Sequence, residues 1–399
     1  MDGMILEWLN LAFRWFHVVA GIAWIGASFY FIWLDLSLRE PPQWKSDKGI
    51  KGDLWAIHGG GIYEIAKYHL RPEAMPKQLH WFKWEAYSTW LSGTGLLILM
   101  YYLQAQSYLV GHNTWLQSPG SAIVASLLFI AVGQIIYELL LRTPLVKKGL
   151  AFAAVLVVFI TFASWLAHQL FSARAAYLHV GAMIATWMAG NVFWGIMPAQ
   201  RKFVAAVSEN REPDVNTALF AKLRSTHNNY LTLPVIFCMI SNHYPFVYGH
   251  PYNWLALVVI GSLLAWGRHF FNLKHRDIIK PGILISAAAG MVLVAIVMGF
   301  TKNTTARESA GEQPQLTESR EMQIQTILTT HCSNCHASSP TQPGFNAPPA
   351  GLLIDTLEHL TVVKTRAIPA INSGYMPLGN FTSMTDEERQ ALLLWLEEH

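Results

Sequence analysis

Eight stretches of this chain are apolar over a length that matches a lipid bilayer: residues 11–34, 86–109, 119–141, 149–171, 175–197, 228–248, 253–272 and 280–300. A hydrocarbon core of about 30 Å takes roughly 20 helical residues to cross. Inside it every backbone polar group must be satisfied within the structure, which leaves helices or closed barrels. The runs are too long for barrel strands, so the expected fold is all-α: a polytopic membrane bundle of about eight transmembrane helices. The sixth run is the weakest, interrupted by Pro234 and ending in the polar "SNHYP" (Ser241–Pro245). Hydrophobic residues make up 52% of the chain and charged residues 13%, which excludes an ordinary soluble enzyme of this length. The net charge of +3 gives no reason to expect a nucleic-acid partner; the bilayer is the expected one.

The basic residues have a topological role instead. Twenty Lys and Arg fall in the connections after the odd-numbered runs, counting Arg268 late in the seventh, whereas the opposite connections hold Arg174 alone. By the positive-inside rule the odd-numbered connections face the cytoplasm. Both termini are then outside, in the periplasm of a bacterial inner membrane. The opening "MDGMILEWLNLAFRWFH" has neither a basic n-region nor a small-residue cleavage site, so the first run is expected to stay as an anchor.

Two passages look alike, "FHVVAGIAWIGASFYFIW" (Phe16–Trp33) and "LHVGAMIATWMAGNVFW" (Leu178–Trp194); "VGHNTWL" (Val110–Leu116) echoes "YGHPYNWL" (Tyr248–Leu255). A parallel duplication of four helices accounts for both pairs; chance likeness among Gly-, Ala- and Trp-rich helices is the alternative. The duplication makes His17 and His179 equivalent, each in the outer third of its run, with His168 at similar depth. Polar groups at that depth turn toward the bundle interior. One reading makes these histidines hydrogen-bonded glue between helices. The other makes them a redox or catalytic site, holding a b-type haem or accepting protons from a substrate. Arg14, one turn before His17, suits an anionic group or snorkels to the interface.

Residues 35–85 are too long for a plain connection. "LWAIHGGGIYEI" (Leu54–Ile65) places two apolar-rich arms around three glycines, and a hairpin follows naturally. His58, Glu64, His80, Lys83 and Glu85 are candidates for a polar site on the inner face, against the simpler reading of an amphipathic hairpin lying on lipid. "RSTHNNY" (Arg224–Tyr230) brings Thr226, His227, Asn228 and Asn229 to the entry of the sixth run, where they could grip a hydrogen-bonding substrate.

Three domains are expected: the membrane unit 1–300, a polar linker 301–319, and a tail 320–399. The tail carries "HCSNCH" (His331–His336). Cys-x-x-Cys-His is the attachment signature of a c-type haem: Cys332 and Cys335 form thioethers and His336 is the proximal iron ligand. With no second cysteine pair, a zinc site or a thiol redox pair fits less well. Met376, in "NSGYMPLGN" (Asn372–Asn380), is the expected second axial ligand, and His/Met ligation suits electron acceptance. Met384 lies too close to the cap of the last helix, where Thr385 and Glu388 form a capping-box pattern. About eighty residues need a staple, which a covalent haem supplies.

Together "EWLNLAFRWFHVVAGIAWIGASFYFIWLD", "GDLWAIHGGGIYEIAKYHL", "LHWFKWEAYSTWLSGTGLL" and the "CSNCH … GYMP" tail resemble the bacterial membrane-bound urate oxidases (urate hydroxylases) fused to a C-terminal cytochrome c, over essentially the whole chain. The resemblance implies hydroxylation of urate to 5-hydroxyisourate, with water supplying the oxygen. It also implies that electrons pass to the attached cytochrome and on to a respiratory acceptor, such as a soluble cytochrome c or a terminal oxidase. The span containing His17 is similar, more weakly, to helices of four-span proteins that bind b-type haem. The competing function is a quinol-oxidising respiratory subunit relaying electrons through the same tail.

Overall fold

The computed structural model describes residues 3–69, 71–72, 75–111, 114–308, 318–342, 345 and 348–399. Helix α1 runs Gly3–Ser37. Helix α2 covers Trp84–Leu97 and continues as a π-helical turn, Ile98–Tyr102. Helix α3 is Pro119–Leu141, opened by Pro119 at the first position and by the Ser118 hydroxyl accepting from Ser121 N. Helix α4 is Gly149–Leu170 and α5 Ala173–Gly190; a π-helical stretch, Asn191–Ile196, carries α5 into Met197–Ser208. Helix α6 is Val215–Ser241, capped by Asp214 and containing Pro234; α7 is Asn253–Lys274 and α8 Pro281–Glu308.

Among the described residues, six of these helices are long and apolar enough to cross a membrane: α1, α3, α4, α5 with its continuation, α7 and α8. The second and sixth apolar runs also form helices. A π-helical turn breaks α2 after fourteen residues, and α6 carries Arg224, His227, Asn228 and Asn229 inside it. Helix α5 lies at the centre, with Tyr177, His179, Val180 and Trp187 wholly buried, while α1 and α8 lie at the edge. Trp8, Trp15, Ile22, Ile285 and Leu293 are more than half exposed, the expected face of a helix whose solvent is hydrocarbon.

The connections after α1, α3, α5 and α7 share one end of the bundle. The first contains a two-stranded antiparallel hairpin, β1 (Ile50–His58) and β2 (Gly61–Tyr68), with His58 opposite Gly61. Gly59 and Gly60 form the turn with φ of 56° and 81°, the conformation a tight two-residue connection demands. Buried Lys45 pins the strands by pairing with Asp53 and Glu64. The hairpin tip leaves Trp55, Ile57, Ile62 and Tyr63 exposed.

The tail packs on the opposite end. It comprises α9 (Glu318–His331), a turn at Ser333–His336, α10 (Leu357–Val362), α11 (Lys364–Asn372) and α12 (Asp386–Glu398). It has its own core, with Ile324, Leu328, Leu360, Leu392, Trp395 and Leu396 packed together. The Thr385–Glu388 capping box expected from sequence is formed in both directions. Of the expected linker, 301–308 prolong α8 and 318–319 open α9; 309–317 lie outside the described residues. The tail meets the bundle where Leu378–Asn380 touches the short helix Ala105–Tyr108, and α11 touches the short helix Pro245–Tyr248. At the first contact a Cβ on Gly379 would lie 2.4 Å from the Gln106 carbonyl oxygen.

Candidate functional site

A cavity of about 480 Å³ opens in the tail, lined by Cys332, His336, Met376, Met384 and Leu392. Its volume is that of a small-molecule or cofactor site. The His336 Nδ1–H donates to Leu352 O at 2.9 Å, which leaves Nε2 as the nitrogen for a metal. Arg389 holds the loop before the cavity, its Nη1 donating to Ile371 O at 2.6 Å and to Met376 O at 2.5 Å. Asn380 brackets Met384 through Met384 N and O at 2.9 and 3.1 Å. Burial pushes the Cys332 thiol up to about 12, with Cys335 adding to it, and burial also raises Cys335. Cys332, His336 and Met376, which line the cavity, are the residues that could hold a c-type haem, with Met384 on the same wall; Cys335, one residue before His336, is not among the lining residues. Bundle residues complete the cavity: Arg174, Asn242, His243, Phe246 and Tyr248 also line it.

A second cavity, about 400 Å³, lies in the seam between bundle and tail. Trp165, His168 and Asn253 line it from the bundle, Ser373 and Arg389 from the tail, and Tyr248 and Tyr375 wall both cavities. The His168 ring is held by Nδ1–H donating to Ser164 O at 2.7 Å. Its Nε2 is buried and has no hydrogen-bond partner among the described residues.

The other two histidines toward the tail end of the bundle are placed differently. His179 is wholly buried, with Nδ1 2.7 Å from Ala175 O and Nε2 2.6 Å from Ser126 Oγ, which in turn bonds Tyr102 OH at 2.8 Å. Both ring nitrogens are therefore engaged, α5 being tied to α3 and, through Tyr102, to the end of α2. His17 ties α1 to α2, its Nδ1 lying 3.0 Å from both Thr89 O and Ser92 Oγ. Arg14 donates to Asn10 Oδ1 at 2.8 Å and to Met100 Sδ at 3.1 Å.

Toward the hairpin end the bundle holds a buried polar network. Arg224 on α6 grips Glu138 on α3 with two hydrogen bonds of 2.7 Å. Asn191 receives Arg224 Nη1 at 3.2 Å and donates to Tyr137 OH at 2.9 Å and Asn228 Oδ1 at 2.8 Å. His227 Nδ1 lies 3.0 Å from Tyr137 OH, and its ring stacks on Phe152 at 4.9 Å. Asn191 sits where α5 turns π-helical, a distortion frequent at functional sites. His227 and Asn228 thus share one network, but His58 and His80 stand apart from it. His58 is exposed at the hairpin turn, and the His80 side chain is 71% exposed beside Phe82. Glu138, Tyr137, Asn191 and Ser126 did not emerge from the sequence reading, although one carboxylate inside the third apolar run was a usable signal. Among the described residues no group of three or more His, Cys, Asp or Glu is arranged to hold a bare metal ion.

A family model described as "Urate oxidase N-terminal" matches residues 3–299, the whole bundle. No curated protein and no solved structure matches the chain.

Proposed function

The chain belongs to the urate oxidase N-terminal family, and from that premise we propose that it is a membrane-bound enzyme that hydroxylates urate to 5-hydroxyisourate and delivers the electrons to a c-type haem in its own tail. The observation that carries the reading is the pair of adjoining cavities: the Cys332–His336–Met376 cavity is walled on one side by the bundle, and among the described residues Tyr248 and Tyr375 are common to it and the seam. The proposed topology follows the charge count, with eight spans in a bacterial inner membrane and the tail outside. Intact substrate oxidation needs one water, and releases two protons and two electrons.

In this reading urate occupies the seam cavity. Its planar ring lies against aromatic faces such as Trp165 and Tyr248, and its edge atoms meet Asn253, Ser373 and Arg389. His168, which lines that cavity, takes a substrate proton at Nε2, a buried atom that is oriented through Nδ1 and has no hydrogen-bond partner among the described residues. His179 and His17 position helices. They are proposed as bonded structural groups: a b-type haem on His179 would displace the bond of its Nε2 to Ser126, and His17 ties α1 to α2 through Nδ1. The Arg224–Glu138–Asn191 network fixes α3, α5 and α6 against one another beneath the site. The haem, when bound, supplies one-electron acceptance at high potential. His336 and Met376 would ligate its iron, and Cys332 and Cys335 would bind its periphery. Electrons leave to a respiratory acceptor.

The test is reduction of the purified protein's own haem by urate without oxygen, followed in the visible spectrum. The proposal expects reduction with 5-hydroxyisourate appearing. Reduction by a quinol but not by urate overturns it in favour of a quinol-oxidising subunit.

A further inference from the structure

Arg174 was the lone basic residue in the connections opposite the positively charged ones, and its surroundings give it a task. It lies in the first turn of α5, the positive end of a helix dipole, where a cation is disfavoured unless an anion joins it. Its Nη1 donates to Tyr375 OH and its Nη2 to Asn242 Oδ1 at 3.3 Å. Its Nε is buried with no hydrogen-bond partner among the described residues. The guanidinium stands 5.5 Å from the ring centres of Tyr108 and Tyr375. Its electrostatic neighbours are the phenols of Tyr101, Tyr375, Tyr248 and Tyr108, together with a like charge, Arg14. Among the described residues no carboxylate pairs with it. The hydroxyl of Tyr101, only 3% exposed, likewise has no hydrogen-bond partner among the described residues. A half-buried cation without a counter-charge is unfavourable, and a buried unsatisfied donor adds to the cost. The missing group is therefore an anion with oxygen acceptors.

Arg174 also lines the cavity of Cys332, His336 and Met376. We infer that Arg174, a residue of the bundle, is the counter-charge for a carboxylate of the haem carried by the tail, so that the haem site is built jointly by both units. The inference rests on the haem reading above. A haem edge bears two propionate carboxylates, and a guanidinium fork matches that geometry. The arrangement fixes the haem's orientation toward the bundle and keeps the tail docked there.

The test uses the full chain with its haem, purified in detergent, as wild type, Arg174→Gln and Arg174→Lys. Covalent haem content comes from the pyridine haemochrome spectrum and the midpoint potential from redox titration. Arg174→Gln is expected to keep the haem and lower the potential, because a positive charge that favoured the reduced iron is gone. An unchanged potential at full haem content overturns the inference. Should Arg174→Gln fail to accumulate, Arg174→Lys keeps the charge but not the fork, and the haem propionate bending band in resonance Raman is expected to move. An unmoved band overturns the inference. A change confined to KM for urate, with potential and band unmoved, assigns Arg174 to the substrate and also overturns it. Wild-type protein lacking covalent haem would sink the haem reading itself, and this inference with it.

Discussion

Gly379 is where the tail's attachment to the bundle can be perturbed by a single methyl group. A Cβ there would meet Gln106 O at 2.4 Å and Ser107 Cα at 2.7 Å, both backbone atoms that cannot rotate away. Ordinary contact begins near 3.4 Å, so Gly379→Ala must open the seam by 1.0 Å, the difference between 3.4 and 2.4 Å. Overpacking of this kind costs about 1–3 kcal/mol, a factor of about 5–150 in the docking equilibrium. The φ of +57° at Gly379 adds a local strain of about 1–2 kcal/mol for any L-residue. Gly351→Ala separates the two effects: Gly351 has a φ of +66°, and nothing lies within 4 Å of its Cβ position. Both variants are expected to carry covalent haem. In anaerobic stopped-flow with urate, Gly351→Ala is expected to reduce its haem within about twofold of the wild-type rate, as its strain lies away from the seam. Gly379→Ala is expected to be slower by up to the docking factor. Wild-type reduction rates in Gly379→Ala would refute the claim that this seam is the electron path.

Three further outcomes are expected. Glu138→Gln strands Arg224 without its counter-charge and should destabilise the detergent-solubilised protein by about 3–5 kcal/mol, read as a fall in its thermal midpoint, with Glu138→Gln/Arg224→Met recovering part of the loss. His168→Gln removes the proposed proton acceptor and should lower kcat about 10²–10⁴-fold with haem content and spectrum unchanged; undiminished kcat would remove His168 from the chemistry. Thr385→Ala should cost the tail about 1 kcal/mol. Glu388 is held below the usual glutamate range chiefly by the backbone hydrogen bond from Thr385. Thr385→Ala keeps that N–H and loses only the hydroxyl that accepts from Glu388 N, so its deficit should hold steady with pH. A group depressed by folding adds stability above its unfolded pKa and loses it as pH falls through the folded value, so the deficit of Glu388→Gln should shrink in acid, and a Glu388→Gln deficit that does not change with pH would show that the carboxylate bond contributes nothing.

The bundle was legible because lipid imposes a length and a composition. Residues 119–141 and 149–171 were marked within a residue by their polar borders, and the hairpin was marked by Gly59–Gly61. The capping box was legible because a helix start is written in four consecutive residues. The destination of a side chain is a different matter. Asn228 and Asn229 were visible as polar residues entering the sixth run. Their partners, Asn191 on α5 and Asn272 on α7, are 37 and 43 residues away and are joined only by packing. His17 and His179 look equivalent in sequence, yet one turns to α2 and the other to α3, because their neighbouring serines, Ser92 and Ser126, sit on different helices. The seam was not legible, since it depends on how two separate cores meet. Arg174 left the one trace available, as the single exception in an otherwise one-sided charge pattern.

Turnover of urate by the double variant Cys332→Ser/Cys335→Ser, in membranes supplied with their respiratory chain, tests the central claim most directly. Loss of 5-hydroxyisourate formation, with the bundle folded and inserted, is the result this account predicts. Turnover at the wild-type rate in a chain that cannot hold its haem would contradict it.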